Sequence, residues 1–182
     1  MAATESVSTP VRRLALLGGE SSGKTTLARA LSQRLSIAWV PEYGRQRWEE
    51  LRETLSVAEL VEVARRQVAL EDAASAQAAA QGQHWLVCDT TPLTTLQYCL
   101  HDHGQAPDEL RALARRPYDL TVVCAGDFDF VQDGCRRDDG FRAAQQAWTL
   151  ARLDEMGVRH HVVGGDVPQR VERVLALMDA GA

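Results

Sequence analysis

The segment Gly18-Gly19-Glu20-Ser21-Ser22-Gly23-Lys24-Thr25 constrains this chain more than any other stretch. It fits the phosphate-binding pattern G-x-x-x-x-G-K-[ST]. The glycines of that pattern let successive backbone N–H groups turn inward on phosphate oxygens, while a helix N-terminus adds partial positive charge. Such a loop needs a strand before it and a helix after it. Both are legible here: Arg13 to Leu17 is an apolar run, and Thr25 to Leu35 carries helical periodicity. At average usage of Gly and Lys, a chance match in a chain this long is on the order of one in a hundred. Lys24 is the only lysine of the chain, every other basic residue among the 20 Lys and Arg being arginine. A compact ammonium at that place can follow the β- and γ-phosphates, and the Thr25 hydroxyl can be offered to Mg²⁺. The dinucleotide fingerprint G-x-G-x-x-G is absent, because the glycines fall at 18, 19 and 23.

Around that anchor the chain alternates. Apolar runs at Ile37 to Val40, Trp85 to Cys88, Leu120 to Cys124 and His161 to Val163 join the first run as five short strands. Between them, Ser56 with Glu59 forms a capping box, and Pro92 and Pro107 suit first helical turns. Asp138 and Asp139 precede a helix from Phe141 to Met156 that Gly157 stops, and Asp166 with Pro168 opens a last helix to about Asp179. Nearly all-apolar strands alternating with helices predict an α/β fold of three layers, a mainly parallel five-stranded sheet flanked by helices. Right-handed crossovers gather the carboxyl ends of the strands on one edge. The site is therefore expected among Gly18 to Thr25, Pro41 to Arg45, Asp89 to Pro92, Gly126 to Arg137 and Gly164 to Pro168. At 182 residues the expectation is one domain over residues 11–182, behind a small, polar, aperiodic tail at 1–10.

Composition narrows the partners. A hydrophobic share of 45% with 25% charged residues excludes a disordered, collagenous or coiled-coil chain. A net charge of -5 works against nucleic acid and anionic membranes, so no partner of either kind is expected and an anionic ligand must be captured locally. No stretch approaches the roughly 18 apolar residues that span a bilayer. Arg12-Arg13 followed by Leu14 to Leu17 falls short of the roughly 7 to 15 apolar residues of an export signal. Cys88, Cys99, Cys124 and Cys135 contain no C-x-x-C pair and two sit inside strands, so buried reduced thiols and a cytoplasmic location are expected. His101 and His103 form H-D-H on an expected loop, without a third residue at metal-ligand spacing.

The strand ends supply the chemistry. Asp89 follows the third run, where a carboxylate either holds Mg²⁺, directly or through water, or caps the next helix. Glu42 closes the second strand, placed to accept the proton of an attacking hydroxyl. Tyr43 and Trp39 can stack on a flat ring, packing in the core being the alternative for Trp39, and Arg45 can hold an oxygen. Residues 126–140 contain three glycines, five aspartates, Phe128, Phe130 and Arg136-Arg137. This is either a lid whose arginines fold over phosphates or a solvated loop whose arginines pair with Asp138 and Asp139.

Taken together, G-G-E-S-S-G-K-T at 18–25, Glu42-Tyr43-Gly44-Arg45, Cys88-Asp89-Thr90 and Asp133-Gly134-Cys135-Arg136 resemble, in order and spacing, the ribosylnicotinamide kinase domain of NadR-type NAD-salvage proteins. The resemblance covers about residues 12 to 178. It implies a P-loop NTPase fold of the nucleoside/nucleotide-kinase type, transferring the γ-phosphoryl group of ATP to the ribose 5′-hydroxyl of nicotinamide riboside. It also implies Gly18, Gly19, Glu20, Ser21, Ser22, Gly23, Lys24, Thr25, Thr26 and Arg137 at the nucleotide, with Thr25 and Asp89 at Mg²⁺. Trp39, Glu42, Tyr43, Arg45, Asp89, Phe130 and Asp133 are implied at the acceptor, and Lys24, Glu42, Asp89 and Arg136 in the transfer itself.

Two positions depart from the family pattern: Thr91 stands where it often reads D-T-D, and Phe130 where it carries Trp. Family members also carry an adenylyltransferase domain before the kinase. Here the kinase-like pattern starts near residue 12, so kinase activity alone is expected. The rival readings are a P-loop kinase for another nucleoside or small alcohol, and a regulatory ATP-binding module or slow ATPase. A GTPase switch is disfavoured because N-K-x-D needs a second lysine. The oligomeric state, a homo-oligomer included, is left open by the sequence.

Overall fold

The computed structural model describes residues 10–127 and 139–181. Five strands, β1 (Arg12–Leu17), β2 (Trp39–Val40), β3 (Trp85–Asp89), β4 (Leu120–Cys124) and β5 (His160–Val163), form one all-parallel sheet in the order β2-β3-β1-β4-β5. Register places Leu16 opposite Asp89 and Leu17 opposite Val123, so β1, β3 and β4 end together. The helices among the described residues are α1 (Lys24–Leu35), α2 (Tyr43–Leu51), α3 (Val57–Ala80), α4 (Pro92–His103), α5 (Asp108–Leu113), α6 (Asp139–Glu155) and α7 (Val167–Ala180). The architecture is that of a P-loop NTPase of the nucleotide-kinase type.

Both faces of the sheet are covered, which is why its strands read as continuous apolar runs rather than alternating ones. Leu14 and Leu16 of β1, with Val87, Val122 and Cys124, pack against Leu27, Ala28 and Leu31 of α1 and Val171, Val174 and Met178 of α7. On the opposite face Leu17 and Val123 meet Leu60, Val61 and Ala64 of α3, Leu93 and Leu96 of α4, and Leu153 of α6. The period-2 alternation of each strand is therefore divided between two cores. The capping box at Ser56 forms as its spacing predicts: the Ser56 hydroxyl accepts from the Glu59 N–H, and the Glu59 carboxylate accepts from the Ser56 N–H at 2.9 Å. Asp166 and Gln169 build the same device at α7.

Three expectations are corrected. The strand-end segment Pro41 to Arg45 runs into α2, and Glu42 is the N-cap of that helix rather than the end of a strand. β2 is shorter than the run that predicted it, covering only Trp39 and Val40. His101 and His103 lie in the last turn of α4, where His101 contacts Asp102 and His103 Nε2 meets the Leu55 carbonyl at 2.9 Å. Cys88, Cys99 and Cys124 are buried and form no disulfide. Among the described residues no helix is long and apolar enough to cross a membrane. The tail at 1–9 and Cys135 lie outside the described residues.

Candidate active site

At the carboxyl edge of β1 the chain turns through Gly18 at φ +134°, where a Cβ would sit 2.6 Å from the Cys124 carbonyl oxygen and so could not be accommodated. Ser21 and Gly23 also have positive φ, and Gly23 is the N-cap of α1 with no side-chain cap. The first N–H groups of α1 are thus left to an anion rather than to a capping oxygen. Lys24 Nζ folds over its own loop, donating to Gly18 O at 3.0 Å and Gly19 O at 2.8 Å. The start of the loop leans on α6. Gly19 N–H donates to Gln146 Oε1 at 3.0 Å and Glu20 N–H to Gln145 Oε1 at 2.7 Å. A Cβ at Gly19 would lie 2.7 Å from the Arg142 carbonyl oxygen.

A cavity of about 440 Å³ opens from this loop. Lys24, Thr25 and Thr26 line one end, and it extends between α2, α3 and α4 past Arg45, Trp48, Leu55, Val63, Thr94 and Tyr98. Glu42 lines the same space. Burial pushes its carboxyl up from the usual 4.5 to about 7; the Lys24 ammonium pulls it down, and the Asp89 charge pushes it further up. The start of α2 is fixed from α3: Tyr43 N–H donates to Gln67 Oε1 at 3.0 Å. The Gln67 amide in turn donates to buried Glu71, which also accepts the Tyr118 hydroxyl at 3.0 Å and pairs with Arg116 at 3.0 Å.

Asp89 is 1% exposed, and burial raises its carboxyl against the opposing Thr25 hydroxyl and the Lys24 and Arg29 charges. It caps nothing. The N-cap of α4 is Thr91, whose hydroxyl accepts from the Leu93 N–H at 3.2 Å. Asp89 Oδ1 is instead a buried oxygen with no hydrogen-bond partner among the described residues. An orphaned carboxylate oxygen beside a hydroxyl is a hard, all-oxygen donor set, and these residues fit Mg²⁺. Thr91 stands at the departure from the family pattern, and its hydroxyl is engaged at the start of its own helix.

The structure therefore brings Lys24, Thr25, Thr26, Glu42 and Arg45 around one cavity, with Asp89 behind Thr25. Two aromatic candidates are corrected. Trp39 faces the α1 side of the sheet, under the Arg29 guanidinium at 5.6 Å, because β2 turns Val40 rather than Trp39 toward α3. Tyr43 packs into the cluster around Leu60 and Val63 and does not line the cavity. Among the described residues the rings at the cavity are Trp48 and Tyr98. Phe130, Asp133, Arg136 and Arg137 lie outside the described residues.

The sequence reading also missed Arg170. It is fully buried on α7, donating to Ser22 O at 2.7 Å, Gly165 O at 2.8 Å and Ala125 O at 3.1 Å, and pairing with Asp127. One guanidinium thus fastens three of the loops at the sheet edge. The signal was present, since residue 170 falls with Val167, Val171 and Val174 on the apolar stripe of its helix. An arginine placed there needs buried acceptors.

The family model described as AAA domain matches residues 13–170. Among solved structures, the NadR protein in complex with NR superposes with a TM-score of 0.72 at 19% identity, over 94% of this chain and 50% of that one. NadR in complex with NAD and AMP-PNP gives 0.63 at 20% identity, over 86% and 44%. Thymidylate kinase from Ehrlichia chaffeensis gives 0.68 at 16% identity, over 92% and 98%. The chain spans about half the length of the NadR protein that it matches. What these structures share with the chain is the fold, that of the nucleoside and nucleotide kinases.

Proposed function

This chain belongs to the AAA domain family, and we propose that it is an ATP- and Mg²⁺-dependent kinase that phosphorylates the ribose 5′-hydroxyl of nicotinamide riboside, giving the mononucleotide and ADP. The observation that carries the reading is one cavity that joins the phosphate loop and Lys24 to a Glu42 carboxyl poised at about 7. A base with that value is half ionised at neutral pH and strong enough to take a hydroxyl proton.

In this reading the loop N–H groups and the start of α1 hold the phosphates, and Lys24 exchanges its two loop carbonyls for β- and γ-oxygens. Thr25 and Asp89 would hold Mg²⁺, which when bound neutralises charge on the phosphates. Glu42 accepts the hydroxyl proton while the acceptor oxygen bonds to the γ-phosphorus. The bond from that phosphorus to the β–γ bridging oxygen breaks, and its electron pair leaves with ADP. Arg136 and Arg137 are assigned to the charge on the transferring group. Trp48 and Tyr98 offer the flat faces for the pyridine ring, and Arg45 an oxygen contact. The proposal extends to one kinase domain over residues 11–182 and, from the buried thiols, to a cytoplasmic location.

A second reading is favoured by Arg45 on the acceptor wall and by the thymidylate kinase fold likeness over 92% of the chain: an acceptor that itself carries a phosphate. The test is ADP release from ATP and Mg²⁺ with nicotinamide riboside, other nucleosides and nucleoside monophosphates. Stimulation by the riboside supports the first reading, and stimulation by a monophosphate alone moves the assignment to the second. Bound ATP with no acceptor-stimulated turnover would replace both with a regulatory nucleotide-binding module.

A further inference from the structure

The acceptor wall and the phosphate loop are tied by a chain of two short hydrogen bonds that runs from Tyr98 through Glu20 to Gln145. Thr94 and Tyr98 stand one turn apart on the cavity face of α4. The Tyr98 hydroxyl donates to Glu20 Oε1 at 2.7 Å. Glu20 belongs to the phosphate loop, and its own N–H donates to Gln145 Oε1 at 2.7 Å. Glu20, at the middle of the chain, is donor and acceptor at once. Gln145 is itself anchored, since its carbonyl accepts from Gln97 of α4 at 3.1 Å and from the Thr149 hydroxyl at 2.9 Å. The Tyr98 ring is further braced by Phe141, with centroids 5.9 Å apart.

We infer that Tyr98 is a positioning residue that couples the two substrates, an acceptor seated against its ring and a nucleotide on the phosphate loop binding more tightly together than apart. The inference rests on the kinase reading above. Moving Tyr98 or Glu20 alone stretches a 2.7 Å bond between partly buried groups, so the two favour shifting together. An acceptor that fixes the Tyr98 ring thereby fixes Glu20, and the nucleotide then meets a loop already held. By linkage the nucleotide must favour the acceptor by the same factor.

The experiment is titration calorimetry on the full chain. Mg²⁺ with a non-hydrolysable ATP analogue is titrated with and without a saturating acceptor, the acceptor being whichever compound of the turnover panel is phosphorylated. The expected result is about fivefold or greater tightening in the parent chain, and the same factor for the acceptor in the reciprocal titration. Tyr98→Phe, which keeps the ring and removes the hydroxyl, is expected to bring the factor close to one. Glu20→Gln retains an oxygen for Tyr98 and is expected to keep it. Gln145→Met, with its melting temperature measured alongside, serves as an independent break in the chain and is also expected to lose the coupling. A parent factor of one in a chain that turns over acceptor would overturn the inference and leave the kinase reading standing. So would coupling that survives Tyr98→Phe or is lost in Glu20→Gln. Absence of turnover with every acceptor would remove the reading and the inference together.

Discussion

Glu42 should make this protein less stable as pH rises through neutrality, and Glu42→Gln should remove that contribution together with most of the activity. The carboxyl ionises at about 4.5 in an open chain and at about 7 in the cavity. Between those values the folded state holds a proton that the unfolded state has released, so stability falls with rising pH across this window and the loss is complete above it. A difference of about 2.5 units corresponds to about 3 kcal/mol. Urea unfolding of parent and Glu42→Gln at pH 4.5 and pH 8 isolates the term. The parent should lose about 3 kcal/mol more than the variant over that interval. The pH profile of kcat/KM should rise through about 7 in the parent, and in Glu42→Gln it should lie on the order of 100-fold or more lower and lose that limb. Equal stability slopes in the two proteins would refute the burial argument. A fully active Glu42→Gln would refute the role as base.

Lys24→Ala should remove turnover while leaving the melting temperature within a few degrees, because among the described residues the ammonium bonds only to its own loop carbonyls; an active variant would sink the phosphate-loop assignment. Arg170→Met should cost about 3 kcal/mol or more in urea unfolding, since it removes the partner of three carbonyls at once, and a cost below about 1 kcal/mol would contradict the clamp. Trp48→Ala should raise the acceptor KM severalfold, whereas Trp39→Ala should lower stability and leave that KM unchanged. The reverse pattern would restore Trp39 to the site.

What the sequence disclosed was what backbone chemistry imposes. The phosphate loop, the capping box at Ser56 and all five strands were legible because each demands particular residue types in a set pattern. Helix α2 was not legible because none of its nine residues is buried, so it has no apolar stripe to show. The side of the sheet faced by Trp39 was equally silent. In a strand covered on both faces, neighbouring positions are both apolar, and alternation cannot say which one meets the cavity. Trp48 and Tyr98 came to the site through the packing of α2 and α4, a tertiary fact that no local pattern records. Gln145 was hidden for the opposite reason, since a polar residue on a helix is read as solvated and only the facing loop N–H reveals its use.

The clamp at Arg170 also sets an order of assembly. Its bond to the Ser22 carbonyl spans 148 residues of sequence, and the guanidinium arrives on the last helix of the fold. A chain emerging from its amino end has its phosphate loop made early, yet the carbonyls of residues 22, 125 and 165 wait for a partner until α7 docks. Long-range closure of that kind comes late and slowly. Nucleotide affinity should therefore appear as one of the final events of refolding, in step with the docking of α7 rather than with the formation of β1 and α1.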